Sequence, residues 1–170
     1  MKKYLFIALL FCINLSVSAQ DIIASFLDKH GKDDNLEVVT IGKKMMETVF
    51  ELVEDNPDLT EAIKGLETIR IVSSKDKDLN KEYFDSAQAL LLKSKGLEEF
   101  FSMSEEDVEL RVMIRESKGK ISELILLSEQ PDGFNLISIS GKIDLDDLIK
   151  YSEEFNIKEL NEIHSAKRNQ

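Results

Sequence analysis

The stretch from Val108 to Ile149 constrains the fold more than any other part of the sequence. It contains three strand-like runs separated by two turn signals, Ser117–Lys120 and Gln130–Gly133. In the second signal, Pro131 fixes its own φ, the Asp132 side chain can bond to the backbone of the turn, and Gly133 readily adopts a positive φ. Strands joined by such short turns pair antiparallel. The stretch therefore predicts a three-stranded meander followed by a helix that Asp144 caps.

The three runs differ in how they distribute apolar residues. The first, Val108–Arg115, alternates apolar residues with a row made of Glu109, Arg111, Met113 and Arg115. Such alternation predicts a half-buried strand with one face in water. Ile121–Leu127 is almost continuously apolar, which is typical of a central strand, and Phe134–Ile143 alternates again.

The residues before this stretch mix helical and strand patterns. Together with the meander they predict one α+β domain whose sheet is mixed but mainly antiparallel, with helices packed on one face. The individual predictions are a helix over Asp21–His30, a buried strand over Leu36–Ile41, a helix over Lys43–Glu54, a helical turn over Asp58–Lys64, a strand over Leu66–Ser73, a helix over Leu79–Ser94 capped by Asp78 or Asn80, and a strand over Glu98–Met103.

Residues 1–19 have the pattern of a secretory signal peptide. Lys2 and Lys3 precede an apolar run, and Val17-Ser18-Ala19 supplies small residues for cleavage. We therefore expect a mature chain from Gln20, with a single domain over 20–164 and a frayed polar tail over 165–170. The protein is then periplasmic or secreted.

Cysteine and charge limit the chemistry of the mature chain. Cys12 is the only cysteine, and Phe11 before it does not fit the small residue that lipidation requires, so we expect no lipoprotein and no disulfide. Loss of Lys2 and Lys3 changes the net charge from −11 to −13. A chain this acidic repels nucleic acid and anionic lipid surfaces, and no later run predicts a transmembrane segment.

Motifs for catalysis, metals and cofactors are missing from the sequence. The two histidines, His30 and His164, lie near opposite ends of the mature chain, so only folding could bring either to a nucleophile. The run from Asp76 resembles the start of a calcium loop but has Lys81 and Ala87 where glycine and glutamate are needed. We predict no catalytic, metal-binding or cofactor-binding residues; an unrecognised hydrolase remains an alternative.

Three runs carry a family resemblance: Gly65–Ile71, Lys120–Leu127 and Phe134–Leu145, the last containing Leu-Ile-Ser-Ile-Ser-Gly-Lys-Ile-Asp-Leu. They resemble the family known as domain of unknown function 4252. The resemblance implies a small exported bacterial protein with an N-terminal signal. It transfers no catalytic residue, because the shared residues are structural.

These observations favour an exported, non-catalytic envelope protein that binds a protein or peptide partner. The alternative is a binder of a small ligand or lipid, with a cavity between the helix over Lys43–Glu54 and the sheet. The predicted interaction face is the outer face of the meander, formed by Arg111, Met113, Arg115, Ser138, Ser140 and Lys142.

Overall fold

A computed structural model describes residues 21–53, 60 and 63–146; for 49–53 it describes the backbone only. The helices with defined bounds are α1 (Ile22–His30), α2 (Lys43–Val53) and α3 (Asn80–Lys93). The strands are β1 (Glu37–Gly42), β2 (Leu66–Ser74), β3 (Glu98–Glu105), β4 (Val108–Ser117), β5 (Lys120–Gln130) and β6 (Gly133–Ile143).

The six strands form one sheet in the order β1-β2-β6-β5-β4-β3. Every neighbouring pair is antiparallel, so the expected mixed sheet is an antiparallel one. The predicted meander is confirmed as β4, β5 and β6, and β5 lies in the interior of the sheet as its apolar run predicted. The α+β class is also confirmed.

Both faces of the sheet are buried, because apolar residues occupy both sides of the central strands. Leu124 and Leu126 of β5 belong to one buried cluster, whereas Ile125 and Leu127 belong to the other. We call the first cluster core A and the second core B. Leu126 pairs with Ile137 of β6 in core A, which shows that the same division continues across strands.

Core B lies under α1 and α3. Its helical members include Ile22, Ile23 and Phe26 of α1 and Tyr83, Phe84, Ala87 and Leu91 of α3. Core A receives Met46 of α2, together with Ile63 and Leu145. The expectation that helices pack on one face only is therefore wrong. A sheet with two apolar faces needs cover on both sides.

The helix ends follow local chemistry. The Asp21 carboxylate accepts from the Ala24 backbone N–H at 2.9 Å and caps α1, at the start of the predicted helix. The cap position of α3 is Leu79, which makes no side-chain cap bond, so the predicted cap by Asp78 or Asn80 is wrong. Asp144 Oδ1 accepts from the Asp146 N–H at 3.0 Å at the expected helix start.

Two strand predictions need correction in burial. The strand β1 was expected to be buried, but Glu37 to Thr40 are exposed because β1 forms an edge of the sheet. The side of β4 expected to face water instead faces core B, and Met113 is buried there.

Several predictions lie outside the described residues. They are the signal peptide, the predicted end of the second helix at Glu54, most of the turn over Asp58–Lys64, the body of the last helix and the polar tail. Within the described residues, no helix is both long and apolar enough to span a membrane.

Candidate functional site

The predicted interaction face lies on the side of the sheet that α1 and α3 cover. Cross-strand pairing places Arg111, Met113 and Arg115 of β4 on the side of core B, and Ser138 pairs with Ile125 there. Ser140 pairs with Glu123 on the same side. Met113 is buried, so it is not available to a partner in the folded chain.

The two arginines of this face already have partners within the chain. Arg111 Nη1 lies 2.8 Å from Glu99 Oε2 of β3. Arg115 Nε lies 2.9 Å from Glu123 Oε2, and its Nη1 donates to the Lys95 carbonyl that follows α3. Both side chains of the Arg115–Glu123 pair are less than one-fifth exposed.

The remaining members of the predicted face, Ser138, Ser140 and Lys142, lie on β6. Ser138 Oγ donates to Glu123 Oε1 at 3.4 Å. Lys142 is exposed beyond a bulge, and its backbone N–H donates to the Gly65 carbonyl at 2.7 Å. The three β4 members of the predicted face are therefore engaged within the chain, and binding of a partner at this face stays a prediction.

Folding brings one histidine to a serine, which the sequence alone did not indicate. His30 at the end of α1 has its Nε2 2.8 Å from Ser86 Oγ of α3, and Lys29 Nζ donates to the same oxygen at 3.0 Å. Because Lys29 donates, the Ser86 hydroxyl is free to donate to a neutral His30. Burial and the Lys29 charge both lower the pKa of His30, which favours that neutral form.

A second contact joins the same helices. Tyr83 OH donates to Asp33 Oδ2 in the linker after α1, and this bond lowers the pKa of Asp33. Burial and the same carboxylate raise the pKa of Tyr83. The His30 ring packs at 5.4 Å from the Tyr83 ring, edge to face. The hydrogen bonds of Ser86 and Tyr83 thus connect α3 to the end of α1 and to the linker that follows it.

A serine–histidine contact also raises the question of nucleophilic catalysis. A depression beside His30 is lined by His30 and Asp33 but does not include Ser86. Ser86 is 9 % exposed and lies inside α3, where backbone N–H groups bond within the helix rather than to a developing oxyanion. The geometry of the His30–Ser86 pair therefore suits a structural contact between two helices better than an acyl-transfer site.

The geometry of metal ligands gives no support for a metal site in the described residues. No three His, Cys, Asp or Glu side chains among them are placed to hold an ion. Asp76, which begins the run resembling a calcium loop, uses Oδ1 to accept from the Asp78 N–H at 3.1 Å. That carboxylate therefore stabilises the turn before α3.

The most exposed apolar strand is β1. Val38 and Val39 are 48 % and 49 % exposed, and they project to opposite faces because Val38 pairs with Val72 of core B and Val39 with Ile71 beside core A. Met45 at the start of α2 is also exposed. Among the described strands β1 pairs only with β2, and its register with β2 is regular throughout.

The opposite edge, β3, is built differently. It carries Glu98, Glu99 and Glu105, and a bulge interrupts its register between Glu99 and Phe101. Charges and bulges are the usual means by which proteins prevent an edge strand from pairing with another chain. Of the two edges, β1 is therefore the one whose backbone and side chains suit an added strand.

Comparison with known proteins gives one match. The family model described as Domain of unknown function (DUF4252) matches residues 28–151, which is more than half of the chain and includes all six strands. The chain belongs to the DUF4252 family. No curated protein and no solved structure matches it. Most residues of the runs that resemble the DUF4252 family lie in β2, β5 and β6, and the match assigns no activity.

Proposed function

We propose that this protein is an exported, non-catalytic envelope protein that binds a protein or peptide partner by pairing along β1. The observation that carries the proposal is the exposure of Val38 and Val39 on a strand of regular register that pairs, among the described strands, with β2 alone. Addition of an extended segment to such an edge gives affinity through backbone hydrogen bonds. Side chains on either face then give specificity.

The side chains of β1 suit this mode of binding. An added strand would place its own alternate side chains beside Val38 on one face and Val39 on the other, because successive side chains point to opposite faces. Burial of apolar surface contributes about 25 cal/mol per Å². A partner segment rich in β-branched or aromatic residues therefore fits the edge best.

Export is supported by the sequence of residues 1–19 and by the family resemblance. The net charge of −13 expected for the mature chain, two units below the −11 of the full chain, favours a protein partner over nucleic acid or an anionic membrane surface. The alternative of a ligand cavity between α2 and the sheet has less support. Two depressions lined by described residues lie beside His30 and beside the start of α3, and neither is lined by α2.

Site-specific photo-crosslinking tests the proposal. A photoreactive residue is introduced at Val39 in the full chain expressed in its own host, and at Leu92 as a matched control. Leu92 is also an exposed apolar residue, at 70 %, but lies on α3. We expect an adduct with one defined protein from position 39 and not from position 92.

Two further measurements complete the test. Val38→Lys, made in the chain that carries the photoreactive residue at position 39, should abolish the adduct, because a charge on an edge strand opposes pairing. The identified partner should slow amide hydrogen exchange over residues 37–42. Equal crosslinking from positions 39 and 92, or no protection of β1, would show that β1 is not the binding edge.

A further inference from the structure

An open cleft of about 480 Å³ lies at the end of the sheet where α3 begins. It is bounded by the start of α3, by the turn between β3 and β4 and by the turn between β5 and β6. Five carboxylates line it, against two lysines; they are Glu105, Glu106, Asp107, Glu109 and Glu129. The cleft lies toward β3 and β4, so it is separate from the β1 edge.

Two of these carboxylates face each other across the sheet. Glu109 of β4 and Glu129 of β5 are direct cross-strand partners and therefore project to the same face. Like charges directly opposite each other in an antiparallel pair destabilise the sheet. Both side chains are only partly exposed, which limits how far water can screen the repulsion.

The surroundings of Glu129 increase this repulsion. Burial, Asp85 and Glu109 all raise the pKa of Glu129, and Lys81 opposes them. Lys81 Nζ lies 3.1 Å from Asp85 Oδ1, so its charge is shared with another carboxylate. The cleft thus holds an excess of negative charge that the lysines along it do not neutralise.

An independent observation comes from Asn80, the first residue of α3. Asn80 is 3 % exposed and lines the same cleft. Its Oδ1 is buried and accepts no hydrogen bond in the described part of the chain. An unsatisfied buried carbonyl oxygen costs about 1–3 kcal/mol. Because Oδ1 has no contact with solvent, it accepts from a donor in the cleft only after the side chain turns, as side chains at binding sites commonly do.

We propose that this cleft binds an organic cation, an alkylammonium or guanidinium group, with Asn80 Oδ1 and the carboxylates of Glu109 and Glu129 as acceptors. Such a group brings several N–H donors and a positive charge together, which matches a carbonyl oxygen beside two carboxylates. The cleft volume lies within the range of about 300–1,000 Å³ usual for small-molecule sites.

The arrangement favours an organic cation over a metal ion. No three carboxylates or imidazoles among the described residues are placed to coordinate an ion. Calcium requires about six to eight oxygen ligands, whereas an ammonium group is satisfied by three acceptors. The cation could be free, as in a polyamine, or belong to a lysine or arginine side chain of a peptide.

Calorimetric titration of the mature chain at low ionic strength tests the site. The probes are spermidine, a blocked tripeptide Gly-Arg-Gly and calcium chloride. We expect saturable binding of spermidine or of the tripeptide, and the stronger of the two identifies the source of the cation. Binding should weaken at least tenfold in Glu129→Gln and in Glu109→Gln.

Glu116→Gln is the matched control, because Glu116 is an exposed carboxylate of β4 that does not line the cleft. It should leave the affinity within twofold. Glu129→Gln should also unfold at a higher temperature than the wild type without ligand, so loss of binding cannot be caused by loss of folding. A shift of the Asn80 side-chain amide resonance on titration should accompany binding.

Three results would overturn the proposal. The first is no saturable binding of either organic probe at millimolar concentration. The second is equal weakening by Glu116→Gln and Glu129→Gln, which would indicate general attraction to an acidic protein. The third is tighter binding of calcium than of both organic probes.

Discussion

At the scale of single residues, two glycines determine how closely β2 and β6 approach. Gly141 has φ of +138°, and a Cβ there would lie 2.3 Å from the Gly65 carbonyl oxygen. A Cβ on Gly65 would lie 2.2 Å from the Lys142 carbonyl oxygen. The Lys142 N–H donates to Gly65 at this point. The glycine in Ser140-Gly141-Lys142 is thus required by backbone contact, which gives a physical basis for that part of the family resemblance.

Gly141→Ala should therefore destabilise the protein strongly. The substitution combines a disfavoured φ with a clash against backbone, and we expect it to lower the free energy of unfolding by about 3 kcal/mol. Urea denaturation measures the change. Gly42→Ala is the control, because a Cβ at Gly42 meets no atom within 4 Å. Its effect should stay within about 1 kcal/mol. Equal effects of the two variants would refute the close-approach argument.

His30 gives the stability of the protein a dependence on pH. Burial and Lys29 lower its pKa in the folded state, more than Glu82 and Asp33 raise it. The unfolded state then binds more protons, so the contribution of His30 is complete above its ordinary pKa of about 6.5 and is lost as pH falls toward the folded value. The pKa of Glu129 is raised in the folded state, so protonation of Glu129 makes the protein more stable as pH falls.

The urea midpoint of the wild type should fall from pH 7.5 to pH 5.5 by more than that of His30→Gln. The variant also loses the ring contact with Phe26, so the quantity compared is the change with pH rather than the midpoint itself. Equal changes in the two proteins would show that His30 does not titrate differently in the folded state.

At the scale of elements, the β4–β5 hairpin shows what sequence patterns could and could not predict. The turn was predicted from the signal Ser117–Lys120, β4 from alternation, and β5 from its almost continuous apolar run. Ser117 lies opposite Lys120 beside the turn. If the pairing of the two strands were regular from there onward, Glu109 would lie opposite Ser128. A bulge after Arg115 shifts the register by one residue, so Glu109 lies opposite Glu129. No residue in the sequence marks that bulge, and the acidic cleft was missed for this reason.

Whether a strand lies at the centre or at an edge of the sheet could not be predicted from the sequence either. The apolar, β-branched run in β1 predicts a strand, because such side chains fit a pleated backbone. Whether that strand is central or at an edge depends on the pairing of β2 with β6, which are far apart in the chain. Exposure of Val38 and Val39 follows from that long-range pairing.

Phe26 connects α1 to core B through ring contacts, and these contacts predict the effect of Phe26→Ala. Phe26 is fully buried, and its ring stacks on Phe134 at 5.5 Å and meets Tyr83 edge-on at 6.1 Å. We expect the free energy of unfolding to fall by about 3–5 kcal/mol. The control Leu92→Ala, at an exposed position of α3, should change it by less than about 0.5 kcal/mol. A small effect at Phe26 would mean that α1 contributes little to the core.

At the scale of the whole molecule, the sheet is closed on both faces and carries different features at its two sides. Core A and core B bury the faces, β1 is the edge strand at one side of the described sheet, and the acidic cleft lies toward the other side. A protein and a cationic group could therefore bind at the same time. The two proposals use separate surfaces. The double variant Val38→Lys, Val39→Lys should therefore remove partner binding and preserve cation binding, and Glu129→Gln should do the reverse.

The export predicted from residues 1–19 concerns the molecule as a whole, and the sequence also predicts where the mature chain begins. Cleavage after Ala19 requires small residues at Val17 and Ala19, so protein purified from the envelope should begin at Gln20 by intact-mass and N-terminal analysis. Ala19→Tyr should accumulate the precursor, because a bulky side chain blocks cleavage. Cys12→Ser should leave mass, processing and location unchanged, since Cys12 is removed with the signal. A mature chain that begins at an acylated Cys12 would contradict this prediction and would make the protein a lipoprotein.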